Sequence, residues 1–286
     1  MKVLVTGASG RIGSAIAARL SLRHRVTGFD LRPGPLTFLT GDVRDTAQLA
    51  RELPGVDAVV HTASLHVPDL AARSALDFRE INVEATRRLL AACGEAGVGR
   101  FVYTSTTSLY GEALVPADGR AVWVTEELAP RPRDVYDETK LAAEEACADA
   151  VRDGLYCSCL RMSRCFDEAP ALVAVHRLYR GVDARDVAQA HELALTAALP
   201  AGGIFNVSAP PPFREADCEA LFAHAAEVVA ERLPWAPAEF ARRGWELPRS
   251  IDRVYVVDRA AAVLGYRPQH DFASLFGRSF CTGPGG

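Results

Sequence analysis

The chain has 286 residues, 49% of them hydrophobic and 24% charged, with a formal net charge of −4. That length can bury a full core, and a slightly acidic balance with no basic cluster argues against a nucleic-acid partner. No apolar run is long enough to span a bilayer and the first strand starts at Lys2, so a cytoplasmic protein without a signal peptide or membrane contact is expected.

Residues 2–6 read as a strand that breaks into three glycines, Gly7, Gly10 and Gly13. A helix over 11–22 follows, with Ile12, Ile16 and Leu20 on one stripe. Strand, glycine turn and helix N-terminus together form an anion site. The glycines let backbone approach a pyrophosphate, and the first helical N–H groups favour its charge. Gly7, Ser9, Gly10, Arg11, Ile12 and Gly13 are therefore the expected dinucleotide contacts. The next strand, Arg25–Asp30, ends in a carboxylate that can accept both ribose hydroxyls and would repel a 2′-phosphate. NAD is expected over NADP, although Arg32 partly offsets the repulsion.

A short strand at 36–39 runs into Asp42 and Val43, and a helix spans 45–53. Another strand at 56–61 leads to Thr62, Ala63 and Ser64. Residues 76–97 show helical periodicity through Ile81, Ala85, Leu89, Ala92 and Ala96. A strand at 100–104 precedes the hydroxyl-rich run Ser105–Ser108, and 111–133 reads as a surface loop rich in Pro and Gly. Helix returns at 135–152 and strand at 155–161. This alternation specifies a parallel sheet with helices on both faces.

After Arg161 the pattern loosens into helices at 172–180, 186–199 and 214–232, with a strand at 203–207 that returns to the main sheet. The expected architecture is α/β, a Rossmann-type doubly wound parallel sheet with a small, shortened C-terminal substrate lobe. Residues 1–165, joined by 183–210, would bind NAD; 166–182 and 211–281 would form the lobe, and 282–286 a disordered tail. The seven cysteines include no C-x-x-C pair and stand away from histidine at zinc spacing, so reduced core residues and no metal are expected. Cys157 and Cys159 alternate on one strand and share a face.

Tyr136 and Lys140 lie four apart on one helical face. A phenol is a poor base at neutral pH, and a neighbouring ammonium together with oxidised nicotinamide would favour phenolate. A hydroxyl from the Ser/Thr run would hold the substrate oxygen beside it.

With these residues in place, the chain resembles the extended short-chain dehydrogenases/reductases, the NAD-dependent epimerase/dehydratase family, over residues 1–210. Thr6–Gly13 resembles the family's glycine turn, Asp30 its ribose acid and Asp42-Val43 its adenine contact. Thr62-Ala63-Ser64 resembles the turn behind the pyrophosphate, and Asn82 the structural asparagine of the long helix. Tyr103–Gly111 is similar to the segment carrying the catalytic hydroxyl, which falls on Thr106, with Thr104 beside the cofactor. Tyr136 and Lys140 match the active-site pair, Cys159-Leu160-Arg161 the strand end beside the nicotinamide, and Asp183–Ala188 the late Asp-Val-Ala helix start.

Sugar-dehydrating members resemble Thr-Asp-Glu in the catalytic segment. Thr107 and Ser108 stand there instead and supply no carboxylate, which argues against dehydration and decarboxylation. Reversible hydride transfer at a sugar-like secondary alcohol or ketone remains, as in a dehydrogenase or, with tightly held NAD, a nucleotide-sugar 4-epimerase. A non-catalytic NAD-binding scaffold or sensor is a third reading. Nucleotide-sugar members carry a longer insertion after the strand arginine than the segment between Arg161 and Asp186, whereas uronate dehydrogenases have a similarly short one. Arg164 would then meet a substrate carboxylate or phosphate. His66, Thr107 and Ser108 are further substrate contacts, with Tyr110, His176 and Arg185 near the pocket. The helices at 76–97 and 135–152 resemble those of the family's dimer interface, implying a homodimer.

Overall fold

In the computed structural model, which describes residues 1–199 and 201–278, the opening apolar run is strand β1 (Lys2–Thr6) and the glycine turn feeds helix α1 (Arg11–Leu20). Then come β2 (Arg25–Asp30), β3 (Thr37–Thr40), α2 (Thr46–Glu52) and β4 (Ala58–His61). The expected long helix is present in three parts: α3 (Ala75–Arg79), a π turn (Glu80–Glu84) and α4 (Ala85–Glu95). β5 (Arg100–Thr106), β6 (Val122–Val124), α5 (Val135–Arg152) and β7 (Tyr156–Met162) complete the first part of the chain. The remainder comprises α6 (Pro170–Arg177), α7 (Ala184–Thr196), β8 (Gly202–Val207), α8 (Cys218–Arg232), α9 (Ala236–Arg242), β9 (Arg253–Tyr255) and α10 (Asp258–Leu264).

Seven strands form one parallel sheet in the order β3-β2-β1-β4-β5-β7-β8. The order reverses beside β1, opening a crevice at the C-terminal strand ends where ligands bind in such sheets. Both sheet faces are covered, so strands such as β4 are buried throughout rather than alternating. On one face, Ile16, Ala17 and Leu20 of α1 pack with Val187, Ala190 and Ala194 of α7 and Leu264 of α10. On the other, Leu49 of α2, Leu89 and Cys93 of α4, and Ala143 and Cys147 of α5 meet Phe101 and Tyr103. As expected, β8 returns to the sheet, pairing Arg161 with Asn206.

A separate apolar cluster builds the lobe from α6, α8, α9 and the last turns, including Leu178, Leu221, Phe240 and Phe272. Here the structure departs from the expected loop at 111–133, since β6 lies within it and pairs in parallel with β9. A three-residue strand whose partner lies far along the chain leaves no periodicity to read. Helix α8 bends at His224, which has non-helical backbone angles. Ala225 N–H donates instead to Arg249 O (3.2 Å) and Leu221 O accepts from Ile251 (2.8 Å), so a crossing segment has inserted into the helix ladder. The expected tail at 282–286 lies outside the described residues. Among the described residues, no helix is long and apolar enough to cross a membrane.

Candidate active site

Close backbone contact shapes the glycine turn. Gly7 has φ +72°, and a Cβ there would lie 2.5 Å from Thr62 Oγ1. One on Gly13 would lie 2.0 Å from Gly7 O. Only glycine permits α1 to start this close to β1. The α1 N-cap, Gly10, gives no side-chain acceptor, so the first-turn N–H groups remain available to an anion. Asp30 closes on the same turn, accepting from Ser9 N–H and Arg32 N–H, both at 3.0 Å. Ser9 Oγ is committed to Arg32 O and Thr37 Oγ1 (2.7 Å each), Ile12 packs on the core, and Arg11 stands half-exposed 4.0 Å from Asp167.

Around this turn, Thr62 Oγ1 donates to Thr6 O (2.7 Å) and Ala63 N–H to Thr6 Oγ1 (3.4 Å), with Ser64 half-buried behind them. Val43 is buried, and Asp42 is held by Arg44, whose guanidinium keeps the carboxyl below its usual pKa. Asn82 is a brace: it exchanges hydrogen bonds with Leu65 N–H (2.8 Å) and Leu65 O (3.0 Å) and donates to Thr139 Oγ1 (3.1 Å). Its place in the π turn fits the association of such bulges with functional sites. His66 stands apart, exposed at the start of a short 3₁₀ turn (Val67–Asp69).

Helix α5 is capped by Asp134, which accepts from Asp137 N–H (2.9 Å). Tyr136 and Lys140 follow on its inner face, 8% and 3% exposed. Lys140 Nζ donates to Thr104 O (2.6 Å) and lies 4.1 Å from the Tyr103 ring centroid. Burial lowers its pKa to about 8, while Glu144 works in the opposite direction. Burial pushes the Tyr136 phenol up to about 12, countered by the Thr106 hydroxyl. The Lys140 ammonium is directed to the strand carbonyl. Thr106 Oγ1 also accepts from Ser108 N–H (3.1 Å) at the start of a 3₁₀ turn.

Thr107 is buried, and Ser108 Oγ accepts from Arg133 (3.1 Å), which also reaches Asp137 (3.2 Å). Arg164 makes a double hydrogen bond to Glu168. Arg185 pairs with Asp183 (2.8 Å), His176 with Glu168 (3.1 Å), and Tyr110 OH donates to Asn206 (2.8 Å).

Two groupings escaped the sequence reading. Glu144, one helical turn after Lys140, accepts from Ser105 Oγ (2.5 Å) and from Arg161 Nη2 and Nε (2.7 and 3.0 Å), all buried. The four-residue step from Lys140 was the available signal. Cys147 also joins Cys157 and Cys159, the three sulfurs lying within 4.8 Å of one another in the core. The thiols are held protonated well above their usual pKa, with burial among the causes. That state matches core packing.

Residues 3–169 match the NAD dependent epimerase/dehydratase family. The chain belongs to this family. It is 35% identical over 157 residues to a 3-beta-hydroxysteroid dehydrogenase of Mycolicibacterium neoaurum, covering 50% of this chain and 42% of that protein. An uncharacterised UDP-glucose epimerase, YtcB, of Bacillus subtilis is 33% identical over 169 residues, 51% of each chain. The chain thus spans about half the length of these curated relatives. A short-chain dehydrogenase/reductase superfamily protein from Agrobacterium tumefaciens, solved with bound NAD, superposes with TM-score 0.72 at 25% identity, covering 97% of this chain and 95% of that one.

Gly13→Ala is expected to weaken NADH binding by at least about tenfold, because the added methyl collides with Gly7 O. Fluorescence titration checks this, with circular dichroism confirming the fold. A pH dependence follows from His61 and His191, fully buried, with pKa values lowered to about 3 and about 4 by burial. The folded protein keeps both neutral, whereas the unfolded chain takes up protons near pH 6.5. Their contribution is therefore complete above about pH 6.5 and is lost as pH falls toward 4. The loss approaches about 2.7 kcal/mol per pH unit near pH 5. Urea denaturation at pH 7 and pH 5 measures it.

Proposed function

We propose that this protein is an NAD-dependent oxidoreductase that transfers hydride at a secondary alcohol or ketone of a sugar-like substrate. The observation carrying this is the meeting of Thr106, Tyr136 and Lys140 at the C-terminal end of β5, on the same edge of the sheet as the glycine turn. The cofactor is NAD, and the cradle fits it: Gly7 and Gly13 leave no room for a Cβ, the first-turn N–H groups of α1 are uncapped, and Asp30 stands ready for ribose hydroxyls. When bound, NAD supplies the hydride acceptor and a positively charged ring.

The chain's own residues do the rest. Thr106 orients the substrate oxygen, Tyr136 exchanges the hydroxyl proton, and Lys140 supplies positive charge that favours phenolate. Burial is the largest cause holding Tyr136 up at about 12, so its function requires the ribose and nicotinamide to complete the polar surroundings. Asp42, Val43, Thr62, Ala63, Ser64 and Thr104 complete the cofactor wall, and Asn82 braces it. We assign residues 1–165 and 183–210 to cofactor binding and 166–182 with 211–281 to substrate, of which 279–281 lie outside the described residues. Arg164 and Ser108 are the substrate-facing polar residues, each already engaged by a neighbour.

The likeness to a UDP-glucose epimerase favours a second reading, in which the keto intermediate is re-reduced from its other face and NAD is regenerated. Net accumulation of NADH with a free sugar supports the dehydrogenase; sugar isomers formed without NADH support the epimerase. Tyr136→Phe is expected to lower kcat by about 10²–10⁴-fold with NADH affinity retained, measured by steady-state kinetics and fluorescence titration. We also propose a homodimer through α4 and α5, whose outer faces present Arg87 and Ala91 beside Ala148 and Asp149. Light scattering is expected to give twice the chain mass, and Ala148→Arg to return it to the monomer value.

A further inference from the structure

The first turn of α5 carries a buried acid next to the proposed acid/base. Asp137 follows Tyr136 directly, and its side chain is fully buried. It falls at the third helical position, where the N-terminal dipole favours a carboxylate. Oδ2 accepts from Arg133 Nε (3.2 Å) and from Arg133 N–H (3.4 Å), while Oδ1 is buried with no partner among the described residues. Burial raises the Asp137 pKa, with Asp134 adding to the rise, and the Ser108 hydroxyl and the Arg133 guanidinium work against it.

Arg133 also reaches across to the turn that follows β5. Its Nη2 donates to Ser108 Oγ (3.1 Å) and approaches Ser108 O (3.5 Å). Ser108 N–H in turn donates to Thr106 Oγ1 (3.1 Å). One guanidinium thus joins the Tyr136 helix to the Thr106 turn, and the Thr106 hydroxyl favours the Tyr136 phenolate. Loss of Arg133 would release that turn and leave a buried carboxylate beside the phenol without its counter-ion. Both consequences oppose ionisation of Tyr136. Loss of the Asp137 charge acts in the opposite direction, because an amide still accepts from Arg133 but no longer repels a phenolate. Of the other groups around α5, Asp134 adds to that repulsion, Lys140 is directed at Thr104 O, and burial holds the Tyr103 phenol of β5 neutral. Arg79 of α3 lies 4.0 Å from Glu138, Glu80 of the π turn pairs with Arg88 (2.5 Å), and Arg161 of β7 pairs with Glu144 (2.7 Å).

We propose that Arg133 and Asp137 are positioning residues: the pair fastens the Thr106–Ser108 turn to α5 and keeps a carboxylate beside Tyr136, so that the phenol holds its proton in the cofactor-free protein. This rests on the oxidoreductase reading above and adds to it the pair that governs when Tyr136 can act.

The test places at position 136 a tyrosine fluorinated on both ring carbons beside its hydroxyl. The fluorines bring the phenol's ionisation into an accessible pH range and report it by fluorine NMR, in the cofactor-free protein and with NAD bound. Asp137→Asn is expected to lower the ionisation midpoint and Arg133→Gln to raise it, each by at least about half a pH unit. Arg133→Lys, which keeps the charge without the planar fork, is expected to recover part of the rise. Circular dichroism checks the fold of each variant. Arg133 is partly exposed, so Arg133→Gln carries the test alone if Asp137→Asn does not fold. With any sugar that is turned over, Arg133→Gln is expected to lower kcat about tenfold with NADH affinity within about twofold. The titration needs no substrate, so absent turnover, or turnover unchanged in Tyr136→Phe, counts against the oxidoreductase reading alone. A midpoint unmoved in Arg133→Gln, a midpoint moved the same way by both substitutions, or kcat unchanged in Arg133→Gln would each overturn the proposal.

Discussion

The buried ammonium of Lys140 is the charge around which the site is arranged. An ammonium taken out of water is costly unless it is met by fixed dipoles and opposite charge. Here it is met by the Thr104 carbonyl, the face of Tyr103 and the field of Glu144. Glu144 is itself fixed by Ser105 and Arg161, and Arg161 lies over the Tyr110 ring at 4.9 Å. Tyr110 in turn donates to Asn206 on β8, whose backbone N–H donates to Glu126 (2.7 Å). A continuous polar chain thus runs from α5 through β5 and β7 to the outermost strand and the base of the lobe. Removing one member would strand a buried partner, a defect of about 3–5 kcal/mol for a broken buried ion pair.

Much of the cofactor half was legible because its determinants are local. Gly7, Gly10 and Gly13 recur at every third position, and the contact that demands glycine at position 13 is with a residue only six positions earlier. The strand–helix alternation is equally local, and the bounds of α5 agree with the pattern because Asp134 supplies a capping side chain at its start.

What was not legible depends on partners distant in sequence. β6 exists because β9 lies beside it, and the position of Cys147 against Cys157 and Cys159 depends on how α5 crosses the sheet. Arg164 could be read as a free cation from sequence, but its partner Glu168 lies on a non-helical segment where spacing predicts no contact. The role proposed for Lys140 rests on its spacing from Tyr136, whereas the direction of its ammonium is decided by the Thr104 carbonyl on a neighbouring strand.

The π turn at Glu80–Glu84 separates two helical phases. Each residue of an α-helix advances the face by about 100°, and the wider turn absorbs one residue without that advance. Asn82 can therefore point at Leu65 and Thr139 while Ala85, Leu89 and Cys93 point at the sheet. Shortening this segment by one residue would restore a regular helix and swing one of the two faces off its target. The segment behaves as a phase adjuster, and its length is constrained even where the identities of its exposed side chains are not.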